Sequence, residues 1–279
     1  MRKKCICIIL SVGSIIQPNF VNCQTNVTHD NYLDNLPKQL KLVEKSPHKY
    51  LMTAEYFSKN IYGDLLNKTK ITGEYTRGLD SGYVSWNNVF ITHTINLSEL
   101  YQERVKQDYM ENIKYIPSLH MIKESFFESF PESQDNIYSR NLIWDMMAIE
   151  GYAWNHLDSL NLNQTYIIPE IHGAFEMANI GTYNHAKVEL TWIGISKMNN
   201  KLCAIIEYRA LDNKLELNIK GLKSKGNELY WGKTWVSLEN KQIEFAEMFS
   251  YTAQEMEIQG LPNKIIVCTK RVLNVNKIQ

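Results

Sequence analysis

Between residues 185 and 274 the chain repeats one pattern, short runs of alternating apolar and polar residues separated by turn residues. Residues 187–195 are followed by the polar Met198-Asn199-Asn200-Lys201, and then come 202–209, 215–219, 229–238, 243–249 and 265–273. Successive side chains of a strand point to opposite faces. Period-two alternation rich in Val, Ile, Thr, Tyr and Trp therefore belongs to half-buried antiparallel strands. This stretch predicts a meander on which the rest of the protein packs.

A second β region precedes it. Residues 51–57 and 70–77 read as strands, Gly78-Leu79-Asp80-Ser81-Gly82 as a turn, and 83–94 as the returning strand. From Asn96 the period changes. Asn96 or Ser98 caps a predicted helix with Glu99 in its first turn, and Leu97, Leu100, Tyr101, Val105, Tyr109 and Ile113 follow at helical spacing up to Pro117. Residues 118–130 predict a second, aromatic-rich helix ended by Pro131. Residues 139–160 predict the strongest one, with Leu142, Ile143, Met146, Met147, Ile149 and Trp154 along one broad face. Ordinary core against the sheet explains that Met and Trp stripe better than a cofactor box. The order is strands, helices, strands, without βαβ alternation. The expected class is thus α+β, with antiparallel β-meanders and a central block of about three helices packed on the sheet.

At Thr72-Gly73-Glu74-Tyr75-Thr76-Arg77-Gly78 followed by Trp86, and at Trp235-Val236-Ser237-Leu238-Glu239 followed by Ile243-Glu244, the rhythm is similar to that of periplasmic lipoprotein-carrier half-barrels. The likeness covers two hairpins at the level of pattern, and no functional residue is carried over. It implies an alternative architecture, a half-barrel sheet wrapped over helices, and an apolar ligand.

The first residues read as an address. Met1-Arg2-Lys3-Lys4 is a basic start, and residues 5–16 form an apolar stretch of 12 residues before Pro18. That is too short to span a bilayer as a helix, so residues 1–23 are expected to be a secretory signal peptide. Cleavage after Cys23 leaves Gln24 first and a secreted or periplasmic protein. The alternative is lipidation of Cys23 and a membrane-anchored lipoprotein. Residues 24–49 read as a tail or linker, and 50–279 as one domain with a candidate hinge at 160–165. Removing Arg2, Lys3 and Lys4 takes the balance from 30 cations against 30 acids to 27 against 30, a net charge of −3. A near-neutral chain of this kind has no electrostatic footprint for nucleic acid. No stretch is long and apolar enough for a transmembrane helix, and nothing in the sequence specifies an oligomeric state.

Past Cys23 only Cys203 and Cys268 remain, each inside a predicted strand, either as one disulfide or as two buried thiols. Asn26, Asn67, Asn96 and Asn163 open Asn-x-Ser/Thr triplets, glycan acceptors in a eukaryotic host. The densest group of candidate ligands is Glu170, His172, Glu176 and His185. His172 and Glu176 stand four apart, so a helix there would place both on one face and suit zinc. However, Gly173 weakens such a helix and no His-Glu-x-x-His is present. His156 and Asp158 stand two apart, which on a helix does not make a facing acid–base pair. There is no Gly-x-Ser-x-Gly elbow, and Gly226 and Gly232 are too isolated for a phosphate loop.

The aromatics point elsewhere. Trp192, Trp231 and Trp235 lie in predicted strands whose two faces are both partly apolar, which suits either a packed core or a sheet lining a ligand groove. The reading that follows is a secreted or periplasmic, non-enzymatic protein. It would bind an apolar or envelope-associated ligand through Trp192, Trp231 and Trp235, with no catalytic residue, metal or cofactor assigned. A secreted hydrolase built on Glu170, His172, Glu176 and His185 is the alternative.

Overall fold

The computed structural model describes residues 44, 46–94, 98, 100–133 and 135–278. The expected signal peptide, Asn26, Asn96 and most of the expected tail lie outside the described residues. Strands β1 (His48–Asn60), β2 (Leu65–Arg77) and β3 (Val84–His93) form the first meander. Two short pieces, β4 (Val105–Lys106) and β5 (Ile113–Tyr115), pair with β3. One α-helix among the described residues, α1 (Asn136–Trp154), precedes β6 (Thr165–Ile167), β7 (Gly173–Glu176), β8 (Gly181–His185) and β9 (Glu189–Met198). The long strands β10 (Lys201–Ile219), β11 (Leu222–Ser237), β12 (Ile243–Ile258) and β13 (Ile265–Lys277) complete the chain.

Among the described residues every pairing between named strands is antiparallel, and the two meanders make a single 13-stranded sheet because β13 returns to pair with β1. The alternation in the sequence sets the faces. Tyr50, Met52, Ala54 and Tyr56 of β1 turn to the core, as do Ala246 and Met248 of β12. Phe245, Phe249 and Tyr251 of β12 turn to the other side, where Tyr251 is exposed. Residues 202–209 and 215–219, read as separate strands, are one strand with an irregularity between Ala210 and Asn213.

The expected α+β class with a block of three helices is not what forms. Only the third predicted helix corresponds to an α-helix, α1, and the half-barrel over several helices fails on the same count. In the first predicted helix, Val105 and Ile113 sit instead in β4 and β5, where the free edge of β3 offers backbone partners. Asn112 has φ +59°, a left-handed conformation that interrupts any helix through it. Of the capping residues, Ser98 accepts from the Leu100 amide at 3.0 Å in a turn, and Asn96 and Glu99 lie outside the described residues. Residues 118–130 form two short 3-10 turns, Leu119–Ile122 and Glu124–Phe127, split by Lys123 at ψ 149°. Their aromatic rings still pack inward, Phe127 against Trp144 at 5.5 Å.

The position of α1 decides what the sheet can enclose. Tyr138 at its start meets Tyr56, and Glu150 near its end meets Tyr75, the cross-strand partner of Tyr50. The helix thus runs antiparallel to β1. Glu150 bonds to Tyr75 on β2 and Tyr152 bonds to Tyr230 on β11. Residues two apart point about 200° apart on a helix. Strands β2 and β11, four steps apart along the sheet, therefore reach opposite sides of α1, and the sheet curls around it. This is why α1 is buried on more than one face, with Leu142, Ile143, Met146 and Ile149 nearly inaccessible.

The 160–165 segment makes local contacts with β9. Leu160 is buried, and the Asn163 amide donates to the Trp192 carbonyl at 2.8 Å. Cys203 and Cys268 are both free. Strands β11 and β12 separate their strands, a spacing of about 14 Å that no disulfide spans.

Candidate functional site

Where α1 leaves the sheet on the β10–β12 side, a cleft of about 280 Å³ opens. Its helix wall is Ile137, Trp144, Met147 and Ala148, and its sheet wall is Leu215, Leu217 and Met248. The third wall is the β7–β8 hairpin, which lays Phe175, Met177 and Tyr183 over the opening. The hairpin tip is fastened to the helical side. The Ala178 amide donates to the Ile122 carbonyl at 2.9 Å, and Arg140 Nη1 donates to the Ala178 carbonyl at 3.2 Å. Ala178 and Asn179 both take positive φ, 44° and 59°, to make that tip.

The floor of the cleft is charged. Arg271 projects inward from β13, and its Nη1 lies 3.1 Å from each oxygen of Asp145 on α1. Its Nη2 lies 3.9 Å from Glu228 Oε1 on β11. Burial pushes the Asp145 carboxyl up to about 6, against the opposing pull of Arg271, with Glu228 adding to the rise. Arg271 is held above its ordinary range by these acids despite its own burial.

Tyrosines surround the group. The Tyr152 and Tyr230 hydroxyls bond to each other, and Tyr56 is pushed up to about 12 by burial. His185 is lowered by burial, so it is neutral at pH 7. Asn213 donates through Nδ2 to the Ala210 and Glu228 carbonyls, which leaves Oδ1 to accept. The 3.0 Å contact from His185 Nδ1 to that oxygen therefore places the ring proton on Nδ1.

The residues singled out in the sequence are not brought together. Glu170 and His172 are exposed, and His172 Nδ1 bonds to the Pro169 carbonyl at 2.7 Å. Gly173–Glu176 is a strand, so the shared helix face of His172 and Glu176 does not exist. Only His185 of that set lines the cleft. No group of three or more His, Cys, Asp and Glu side chains suited to a metal occurs among the described residues. Trp192 packs on the core side, with its indole donating to the Gly194 carbonyl at 2.8 Å. Trp231 and Trp235 share the opposite face, Trp231 stacked on Phe249 and Trp235 against Phe245. None of the three tryptophans lines the cleft.

One further constellation has catalytic-looking geometry. Thr69 Oγ1 lies 3.0 Å from His93 Nδ1, and His93 Nε2 lies 3.1 Å from Asp135 Oδ1. Thr69 is fully buried, so as a nucleophile it has no access to substrate. The residues that sequence reading missed are Asp145, Glu228 and Arg271. The available signal was ionisable groups in otherwise apolar settings, Asp145 inside the stripe of the long helix and Arg271 at an inward position of an alternating strand.

No protein-family model matches the chain, and no curated protein matches it. Among solved structures, one described as lipid–protein interactions in lipovitellin aligns over 84% of this chain at 11% identity and a TM-score of 0.38. The chain spans about a quarter of that protein, 25% of its length. A DUF1329 family protein from Desulfovibrio piger aligns over 84% of this chain and 85% of its own at 9% identity, with a TM-score of 0.13. At these TM-scores neither likeness carries an argument about fold or function.

Proposed function

We propose that the protein is an exported, non-enzymatic binder of a single-chain apolar ligand, held in the cleft between α1 and the sheet. The observation that carries this reading is the cleft itself, about 280 Å³ bounded by Trp144, Met147, Phe175, Met177, Leu215 and Leu217. Ligand pockets of soluble proteins are concave and mostly apolar, with a few convergent polar groups, and run from about 300 to 1,000 Å³. At roughly 30 Å³ per water-sized volume the cleft holds on the order of nine such volumes, a size that suits one short chain. Supporting the reading against a hydrolase, Glu170, His172 and Glu176 stand on the outside of the protein.

The test is uptake of an environment-sensitive apolar dye by the purified chain. Ala148 faces the cleft, and Ala148→Phe places a ring in that space. The dye is expected to bind the native protein and to lose most of its affinity for Ala148→Phe, while Trp231→Ala and Trp235→Ala retain it. Uptake unchanged in Ala148→Phe, or lost in the tryptophan variants instead, moves the ligand to the outer face of the sheet and ends this reading.

A further inference from the structure

The cleft floor carries an unbalanced charge. Its charged lining groups are Asp145, Glu228 and Arg271, and its other titratable groups are Tyr56, Tyr152, Tyr183, Tyr230 and His185. The tyrosines are all raised above their ordinary value and His185 is lowered, so at neutral pH these five are uncharged. Two carboxylates thus face one guanidinium. Asp145 engages that guanidinium with both oxygens at 3.1 Å. Glu228 stands off from it at 3.9 Å, with Tyr183 beside it.

A negative charge left over in a mostly apolar, half-enclosed cleft attracts a complementary cation. The rings beside Glu228 suit the same cation. Phe175, Tyr183 and His185 stand in sequence with centroid spacings of 5.7 and 4.7 Å, and Tyr230 lies 5.9 Å from His185. Aromatic faces attract ammonium groups through their quadrupoles, and more strongly where water is excluded. An anionic head would meet two carboxylates here.

We propose that the ligand of the cleft is a cationic amphiphile, a single alkyl chain ending in an ammonium nitrogen. The nitrogen sits at Glu228 among Phe175, Tyr183 and Tyr230, and the chain lies along Met147, Leu215 and Leu217. This rests on the reading of the cleft as a ligand site and adds the chemistry of the head.

The experiment is isothermal titration of the full chain at pH 7.5 with octyltrimethylammonium, octanol and octanoate, which share a chain length and differ in charge. Octyltrimethylammonium is expected to bind at least about tenfold more tightly than octanol, with octanoate weakest. In Glu228→Gln the advantage of the cation over octanol is expected to shrink to about twofold. Equal binding of the three, or preference for octanoate, overturns the ammonium assignment and leaves the apolar cleft standing. Failure of all three to bind overturns both. An advantage that survives intact in folded Glu228→Gln also overturns the assignment. Should that variant not fold, the ranking of the three ligands on the native chain decides alone.

Discussion

Asp145 and Glu150 leave α1 about 140° apart, and each ends on an arginine from a different strand. Asp145 meets Arg271 of β13 at 3.1 Å, and Glu150 meets Arg77 of β2 at 2.8 Å. The helix is thereby pinned from two sides to the sheet that curls around it. Tyr75 adds its hydroxyl to Glu150 at 2.9 Å, and the Arg77 guanidinium lies over the Trp154 ring at 4.4 Å. The two pins have different consequences. The one at Glu150 lies outside the cleft, whereas the one at Asp145 forms its floor.

Glu150 makes stability depend on pH. Burial raises its carboxyl to about 7, with Arg77 and Tyr75 pulling it back down. The native state therefore binds this proton more tightly than the unfolded chain does. The resulting penalty is full above about pH 7 and disappears below the unfolded value of about 4.3. Relative to Glu150→Gln, the native sequence is expected to gain on the order of 2 kcal/mol between pH 8 and pH 5. Urea unfolding of both proteins across that range checks it. A difference that stays flat, or falls as the pH is lowered, contradicts it. The comparison with the variant is needed because His48 and His185 are both lowered by burial and oppose the trend below about pH 6.5.

Among the described residues, Arg271 is the cation that faces Asp145 and Glu228 in the cleft. Arg271→Met strands two buried carboxylates and is expected to cost about 3–5 kcal/mol. Adding Asp145→Asn removes one of those charges, so the pair is expected to be more stable than Arg271→Met alone, with a coupling of at least about 1 kcal/mol. Denaturant midpoints of the four proteins in the cycle measure it, and simple additivity would argue against the contact.

Gly232 is required by a close approach. The Tyr208 hydroxyl crosses β11 at this residue to donate to the Glu247 carbonyl at 2.9 Å. A Cβ on Gly232 would overlap both groups, whereas one on Gly194 meets nothing within 4 Å. Gly232→Ala is expected to lose about 2–3 kcal/mol as β11 shifts to relieve the overlap. Gly194→Ala is expected to stay within about 0.5 kcal/mol. Thermal melts of the two variants compare them directly, and equal melting temperatures would refute the packing argument.

Cys203 is buried, with its thiol pushed up to about 11, and Cys268 is partly accessible. A thiol reagent is expected to modify Cys268 in the native protein and Cys203 only after unfolding. Intact mass of the purified protein is expected to read the same two thiols as reduced. It also tests the proposed processing, since a chain starting at Gln24 supports free secretion and a lipid mass on Cys23 supports anchoring.

The antiparallel strands were legible because alternation records which side chains share a face, and that relation is local. The stripe from Leu142 to Trp154 was legible as a helix for the same reason. The same spacing misled between residues 100 and 116. There the left-handed Asn112 and the open edge of β3 outweighed a helical period. For Trp231 and Trp235, alternation fixes only that they share one face, not which face of the sheet is enclosed.

What the sequence determined by itself was the alternation of the long strands, the helical stripe from Leu142 to Trp154 and the near-neutral balance of its charges. The tertiary structure decided the rest. The pairing of Tyr50 with Lys277 joins two meanders into one sheet. The curl of that sheet around α1 selects its enclosed face, and the gathering of Asp145, Glu228 and Arg271 from three elements makes a charged floor. Periodicity fixes relations among neighbours in the chain, whereas a cleft is made by groups far apart in it, through backbone pairing and burial that no local pattern encodes.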